Sequence, residues 1–137
     1  MMSIYRSERE EKLLEELISK FKEVTGIEIF PNFSSEFLIE DQQISTSEIT
    51  SSPSDCRSYK SKLLFFKNEE DVSVFVTIEG SINSIDWVEI KKDIEIPPGK
   101  NYFGVIYDPH PYIRIKAKTT TPPTTGKFNT IIAKYSI

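Results

Sequence analysis

The chain has 137 residues, a formal net charge of −4 and one cysteine, Cys56. This length is sufficient for one domain with a sizeable core, and the apolar and aromatic content argues against disorder of the whole chain. A lone cysteine excludes an intrachain disulfide framework. The acidic balance disfavours nucleic acid as a partner, and no apolar run is long enough to cross a membrane.

The first predicted element is a helix over residues 7–25. Ser7 and Glu10 have the spacing of a capping box, and Gly26 is a suitable C-terminal stop. The apolar residues form one stripe, and part of it follows the 3-4-3 spacing of a coiled-coil seam. That seam, a candidate assembly interface, consists of Leu14, Leu17, Phe21 and Val24. The seam either packs on the chain's own β-domain or binds another subunit, and its length does not decide between the two.

Charge is distributed unevenly along the chain. Residues 1–50 carry a net charge of −6, and residues 51–137 carry +2. This pattern indicates either a solvated acidic helix beside a mixed β-domain, or complementary ends that meet between neighbouring copies. The first residues do not resemble a signal peptide, because Ile4 and Tyr5 are followed at once by charged residues. We therefore expect folding in a cytoplasm, which is compatible with later release in a particle.

The region after the helix is polar and only weakly strand-like. A short apolar run at 27–30 ends at Pro31, and a Ser/Thr-rich stretch with a break at 51–54 follows. We interpret this stretch as an extended arm or linker with edge-strand character. The predicted segments are an N-terminal helix with a short strand (1–31), a polar arm (32–55) and a β-sandwich domain (56–137).

A dense β-region makes up the rest of the chain. Its clearest part is a hairpin over residues 72–90, in which valine and isoleucine alternate with other residues along the first strand. A tight polar turn and a second strand with the only tryptophan follow. Strands are predicted at 59–67, 72–79, 85–90, 94–96, 101–107, 112–118 and 127–137. The residues predicted to be buried are Val74, Val76, Ile78, Ile113 and Ile115. The predicted fold is mainly β, an antiparallel, jelly-roll-like β-sandwich preceded by one α-helix and an extended arm.

Catalytic residues are not recognisable in the sequence. His110, the sole histidine, lies between two prolines with no local nucleophile, although the fold could bring Cys56 close to it. A zinc site needs several His or Cys ligands at suitable spacing, and no phosphate-binding glycine loop is present. An oxygen-ligand calcium site among the scattered loop aspartates stays open. We therefore predict a protein that is not an enzyme and needs no cofactor or metal.

Aromatic residues suggest a different kind of site. Trp87, Tyr107 and Tyr112 could present ring faces to a sugar, with Arg114 supplying polar contacts. The same residues are also ordinary strand and core residues, and packing is the alternative reading.

Two short signatures resemble a known class of domain. The hairpin turn contains Ser81 and Asn83, which we expect to shape it, followed by Ser84 and Trp87, and a later strand contains Tyr112 and Arg114. From about residue 59 to 135 the chain resembles small β-sandwich domains of tailed phages and related bacterial genes. Their recurring sequence motifs are a "Ser-x-Asp-Gly-x-x-Trp" turn and a strand ending in "Tyr-x-Arg". This chain has Asn in place of the Asp and Ser in place of the Gly.

The resemblance implies a function as well as a fold. Such domains occur among virion accessory proteins, in capsid decoration, head fibres, necks and tails, and others are carbohydrate-binding modules. The resemblance therefore implies a virion protein, made in the host cytoplasm, whose partners are other copies of itself or capsid, neck or tail proteins. The alternative that it implies is a carbohydrate- or receptor-binding module with a glycan ligand.

Overall fold

A computed structural model describes residues 33–135 and, nearer the N-terminus, positions 12, 13, 15–17, 19, 20 and 23. The chain divides into two compact units, Met1–Phe30 and Pro31–Ile137. Every described residue of the first unit is helical, in agreement with the predicted helix, and Leu17 of the seam is buried. The other seam residues and the predicted short strand at 27–30 lie outside the described residues. Within the described part, no helix is long and apolar enough to span a membrane.

The second unit is an antiparallel β-sandwich, which confirms the predicted fold class. The strands are β1 (Phe33–Gln42), β2 (Ile49–Thr50), β3 (Ser54–Asp55), β4 (Ser61–Asn68), β5 (Val74–Ser81), β6 (Trp87–Ile96), β7 (Asn101–Ile106), β8 (Tyr112–Lys118) and β9 (Phe128–Tyr135). One sheet has the strand order β1-β9-β4-β7, and the other has the order β2-β8-β5-β6, with β3 also pairing with β8.

The main core lies between the two sheets. All five residues predicted to be buried, on β5 and β8, are at most 2% exposed. Phe66 of β4 packs against them from the opposite sheet, with its ring 6.3 Å from that of Phe128 and 6.0 Å from that of Tyr102. The alternation read from the sequence therefore identified the inner face of the five-stranded sheet.

The centre of the four-stranded sheet is buried on both faces. Leu64 and Phe66 of β4 face the main core, whereas Leu63 and Phe65 point the other way and are equally buried. Every residue of β9 is also buried. A strand buried on both faces is a continuous apolar run rather than an alternating one, and the sequence LLFF fits this rule.

The predicted arm at 32–55 is part of the sandwich instead of a linker. Phe33 to Gln42 form β1 and pair with β9, while β2 and β3 pair with β8. The sandwich therefore begins at β1, not at residue 56. The polar composition is compatible with this position because β1 lies at the edge of its sheet, and strand pairing uses main-chain groups.

β6 also differs from its prediction. The strands expected at 85–90 and 94–96 are one strand with irregular pairing to β5. Asp93 has a φ of 51°, and the register shifts on either side of Ile78. Such an irregularity bends a strand without ending it.

Candidate functional site

The two signature segments meet on the outer face of the five-stranded sheet. Ser81, at the end of β5, pairs with Trp87 on β6 and with Tyr112 on β8. Residues in one row of a sheet point to the same face, so the tryptophan and the tyrosine flank a small serine. The turn and the strand end that were separate in the sequence thus form one local structure.

Arg114 connects this row to the next one. Its guanidinium lies over the Trp87 ring, 4.1 Å from the ring centre, and its Nε donates to Glu79 Oε1 at 2.7 Å. The Glu79 side chain is only 8% exposed, and Lys116 Nζ lies 3.6 Å from its other oxygen. A carboxylate this buried needs paired cations, so Glu79 fixes Arg114 in its position over the tryptophan ring.

A second arginine extends the face beyond Tyr112. Arg57 lies over the Tyr112 ring at 5.7 Å from its centre and forms a two-pronged pair with Asp55. The hydrogen bonds from Arg57 lower the pKa of Asp55 to about 2. The pair is solvent-exposed and therefore contributes orientation more than stability. We call Trp87, Arg114, Glu79, Tyr112 and Arg57 the aromatic–arginine face.

The polar turn before Trp87 is shaped by its own side chains. Ser81 Oγ accepts from the main-chain N–H of Ser84 at 2.8 Å, and Asn83 Oδ1 accepts from that of Asp86 at 2.8 Å. Ser84 has a φ of 64°. These bonds confirm the prediction that Ser81 and Asn83 build the hairpin turn, and they fix the point at which Trp87 enters the sheet.

A shallow cleft of about 250 Å³ lies beside this turn. Gly80 and His110 form part of its lining, and a Cβ at Gly80 would lie 2.8 Å from the His110 ring. Three large apolar side chains of the hairpin are exposed close by, Ile82 at 77%, Ile85 at 78% and Val88 at 51%. Exposed apolar residues grouped in this way are typical of contact surfaces.

The corner at 108–111 is held by hydrogen bonds. The Asp108 carboxylate accepts from the main-chain N–H of His110 at 2.9 Å and also contacts its ring Nδ1. Lys62 is 1% exposed, and its Nζ donates to the carbonyls of both residues. Burial raises the pKa of the Cys56 thiol, so this cysteine is not poised as a thiolate.

The structure brings together some of the predicted ligand-binding residues. Trp87, Tyr112 and Arg114 lie on the aromatic–arginine face, whereas Tyr107 follows β7 in the other sheet and is 72% exposed. No signal in the sequence pointed to Arg57 and Glu79, because each contacts a site residue that is 35 or more positions away in the chain. Among the described residues there is no group of three or more His, Cys, Asp or Glu side chains that could hold a metal ion.

The fold and this face define a small antiparallel β-sandwich with an aromatic–arginine surface. No protein-family model matches the chain, and no curated protein matches it. Among solved structures, PBSX exported protein XepA is similar with a TM-score of 0.62 at 14% identity, over 76% of this chain and 37% of that chain. A protein of Bacillus endospore appendages, described as disulfide-linked pili, is similar with a TM-score of 0.51 at 11% identity, over 77% of this chain and 90% of that chain. At these identities the likeness shows the fold alone.

Proposed function

We propose that the protein is a non-enzymatic structural subunit of a phage particle, acting in capsid decoration or as a head or neck accessory protein. The observation that carries the proposal is the meeting of both resemblance signatures at Ser81, which pairs with Trp87 and with Tyr112. Two motifs that are distant in sequence but form one site are a stronger likeness than either motif alone.

The fold is compatible with an assembly role. XepA, a PBSX exported protein, and the endospore appendage protein are similar to this chain in fold. The exposed apolar hairpin formed by Ile82, Ile85 and Val88 offers a contact surface to neighbouring subunits. The N-terminal helix is a second candidate contact, because apolar area in its seam gives affinity and charge gives orientation. Leu17 is buried within the single chain, so this contact requires Leu17 to exchange its packing within the chain for packing on a neighbour.

The test of this proposal is co-purification with particles. The chain, tagged at its C-terminus, is expected to sediment with particles in a density gradient and to be detected there by mass spectrometry. Replacing Leu17 and Phe21 together by asparagine should remove it from the particle fraction. The matched control, Glu15→Gln with Glu16→Gln, should leave most of it there, because it changes charge without removing apolar area.

Loss of folding is separated from loss of attachment by a truncation. A chain without residues 1–26 that keeps the circular dichroism of a β-protein but leaves the particle fraction identifies the helix as the attachment element. A truncated chain that still folds and sediments with particles contradicts that role. Absence of the intact chain from every particle fraction contradicts the proposal as a whole.

A second candidate function is carbohydrate or receptor binding. The specific observation in its favour is that Arg114 lies over the half-buried Trp87 ring. Arg114 is also two residues along β8 from Tyr112, on the same face of the sheet. Ring faces cover the apolar C–H groups of sugars, and a fixed arginine donates to their hydroxyls.

This candidate predicts a selective effect of ring removal. Trp87→Ala should abolish binding on a glycan array, while Tyr107→Ala, which removes an exposed ring from the other sheet, should leave it unchanged. An intact chain that binds no glycan, or two variants that lose binding equally, contradicts the assignment.

A further inference from the structure

The four edges of the two sheets are not equally protected. Within the described residues, β1 and β6 have irregular register, with positive φ at Asp41 and Asp93, and β6 carries Lys91 and Lys92. The edge formed by β2 and β3 consists of two-residue strands. Bulges, lysines and short strands are the usual means by which proteins prevent edge-to-edge pairing.

β7 has none of these features. Its six residues, Asn101–Ile106, contain no charge and no proline, and they pair with β4 in unbroken register. No described strand pairs with its other side. Asn68 N–H donates to the Lys100 carbonyl, and hydrogen-bonded pairs alternate along antiparallel strands. Asn101, Phe103 and Val105 therefore direct their main-chain groups to the open edge.

A groove of about 290 Å³ runs along this open edge. Tyr102 and Gly104 line it from β7, and Ile78 and Ile90 line it from the opposite sheet. A Cβ at Gly104 would meet only the Tyr102 ring, at 3.4 Å, so the groove has room at its centre. An added strand would gain main-chain hydrogen bonds from the edge and apolar contact from the groove.

We propose that β7 pairs antiparallel with β7 of a second copy, across a two-fold axis at Gly104. This β7 pairing rests on the proposed role of the protein as an assembly subunit, and it specifies one contact between two copies. The alternation of edge-facing groups requires odd-numbered residues to pair with odd-numbered ones, which allows Phe103 to pair with Val105 of the second copy.

Charge favours this register and this partner. Just beyond the ends of β7, this register places Lys100 of each copy near Asp108 of the other, so that opposite charges lie at both ends of the pairing. The Asp108 carboxylate keeps its contact with His110 within its own copy. The neutral strand between them brings no like charges together. Self-pairing of β1 would instead bring together Glu36, Glu40 and Asp41 of both copies. A second copy with its own β7 is therefore the occupant that suits this edge best.

The register predicts a disulfide at one position and not at another. In this pairing the two Gly104 residues are opposite each other in a non-hydrogen-bonded pair, with Cα atoms about 4.5 Å apart, within disulfide range. The two Asn101 residues are about 20 Å apart. Mild oxidation of the purified full chain should cross-link Gly104→Cys into a dimer, but neither Asn101→Cys nor the parent chain, whose Cys56 is buried.

A second measurement uses main-chain chemistry. Val105→Pro removes an N–H that faces the open edge and leaves pairing with β4 intact, whereas Val105→Thr retains the N–H. Sedimentation velocity should show self-association weakened by at least about tenfold in the proline variant alone. Both variants are checked for folding by circular dichroism.

The outcomes separate this inference from the proposed function. Equal cross-linking at both cysteine positions, no cross-linking at position 104 in a folded variant, or a parent chain that stays monomeric overturns the β7 pairing. If the chain still sediments with particles, the proposed function stands without it. Dimers that cross-link as expected but never enter particles support the pairing and contradict the particle role.

Discussion

Gly126→Ala is expected to lower the free energy of unfolding by about 3 kcal/mol or more, because two costs add at this position. Gly126 has a φ of +94°, which side-chain-bearing residues rarely adopt. A Cβ there would lie 2.0 Å from the Glu69 carbonyl oxygen and 2.5 Å from the Glu70 Cα. Both atoms belong to main chain, so relief requires moving the turn after β4 and stretching the bond from Glu69 N–H to the Lys127 carbonyl.

Gly99→Ala is the matched control. Gly99 has a φ of +70° in the turn between β6 and β7, but nothing lies within 4 Å of a Cβ built there. This variant therefore pays the conformational cost alone, about 1 kcal/mol. Chemical denaturation of the two variants isolates the steric cost at Gly126. Equal losses of stability would contradict the close approach of the 126 turn to residues 69 and 70.

The parts of the fold that could be predicted from sequence are strands that bury only one face. Such a strand shows alternating apolar and polar residues, and this alternation can be recognised in the sequence. The strands predicted at 72–79 and 112–118 alternate because β5 and β8 bury one face, so periodicity located them and their buried residues. The polar side chains that build the turn at Ser81 and Asn83 are also local, and they too were predicted.

The parts that did not follow depend on distant pairing. β1 is polar and joins the sheet only through β9, some 90 positions away, so nothing near it in sequence indicates a strand partner. The candidate site has the same character. Trp87, Tyr112 and Arg114 could be proposed from their residue types, but Glu79 and Arg57 join them only through strand register, and Tyr107 is separated because β7 belongs to the other sheet.

Asn68→Ala is expected to cost about 3 kcal/mol of stability, the second large effect. Asn68 is 1% exposed, and its Nδ2 donates to the carbonyls of Val72 and Ile96, each at 2.9 Å. Its Oδ1 accepts from the Glu70 N–H, also at 2.9 Å. One side chain thus joins the end of β4, the turn that follows it and the end of β6 in the other sheet. Alanine leaves these main-chain groups buried without that partner.

The aspartate variant shows which half of the amide matters. Asn68→Asp keeps the acceptor for the Glu70 N–H but directs a carboxylate at two carbonyl oxygens, which raises the pKa of the new group in the folded state. A raised folded-state pKa contributes stability at low pH that is lost as pH rises through it, because only the protonated acid can donate. Denaturation midpoints should therefore fall with pH for Asn68→Asp relative to Asn68→Ala, with exposed Asn101→Ala close to the parent chain. A pH-independent difference between the two variants would show that the donated bonds do not hold this corner, and that the sheets are joined there by apolar packing alone.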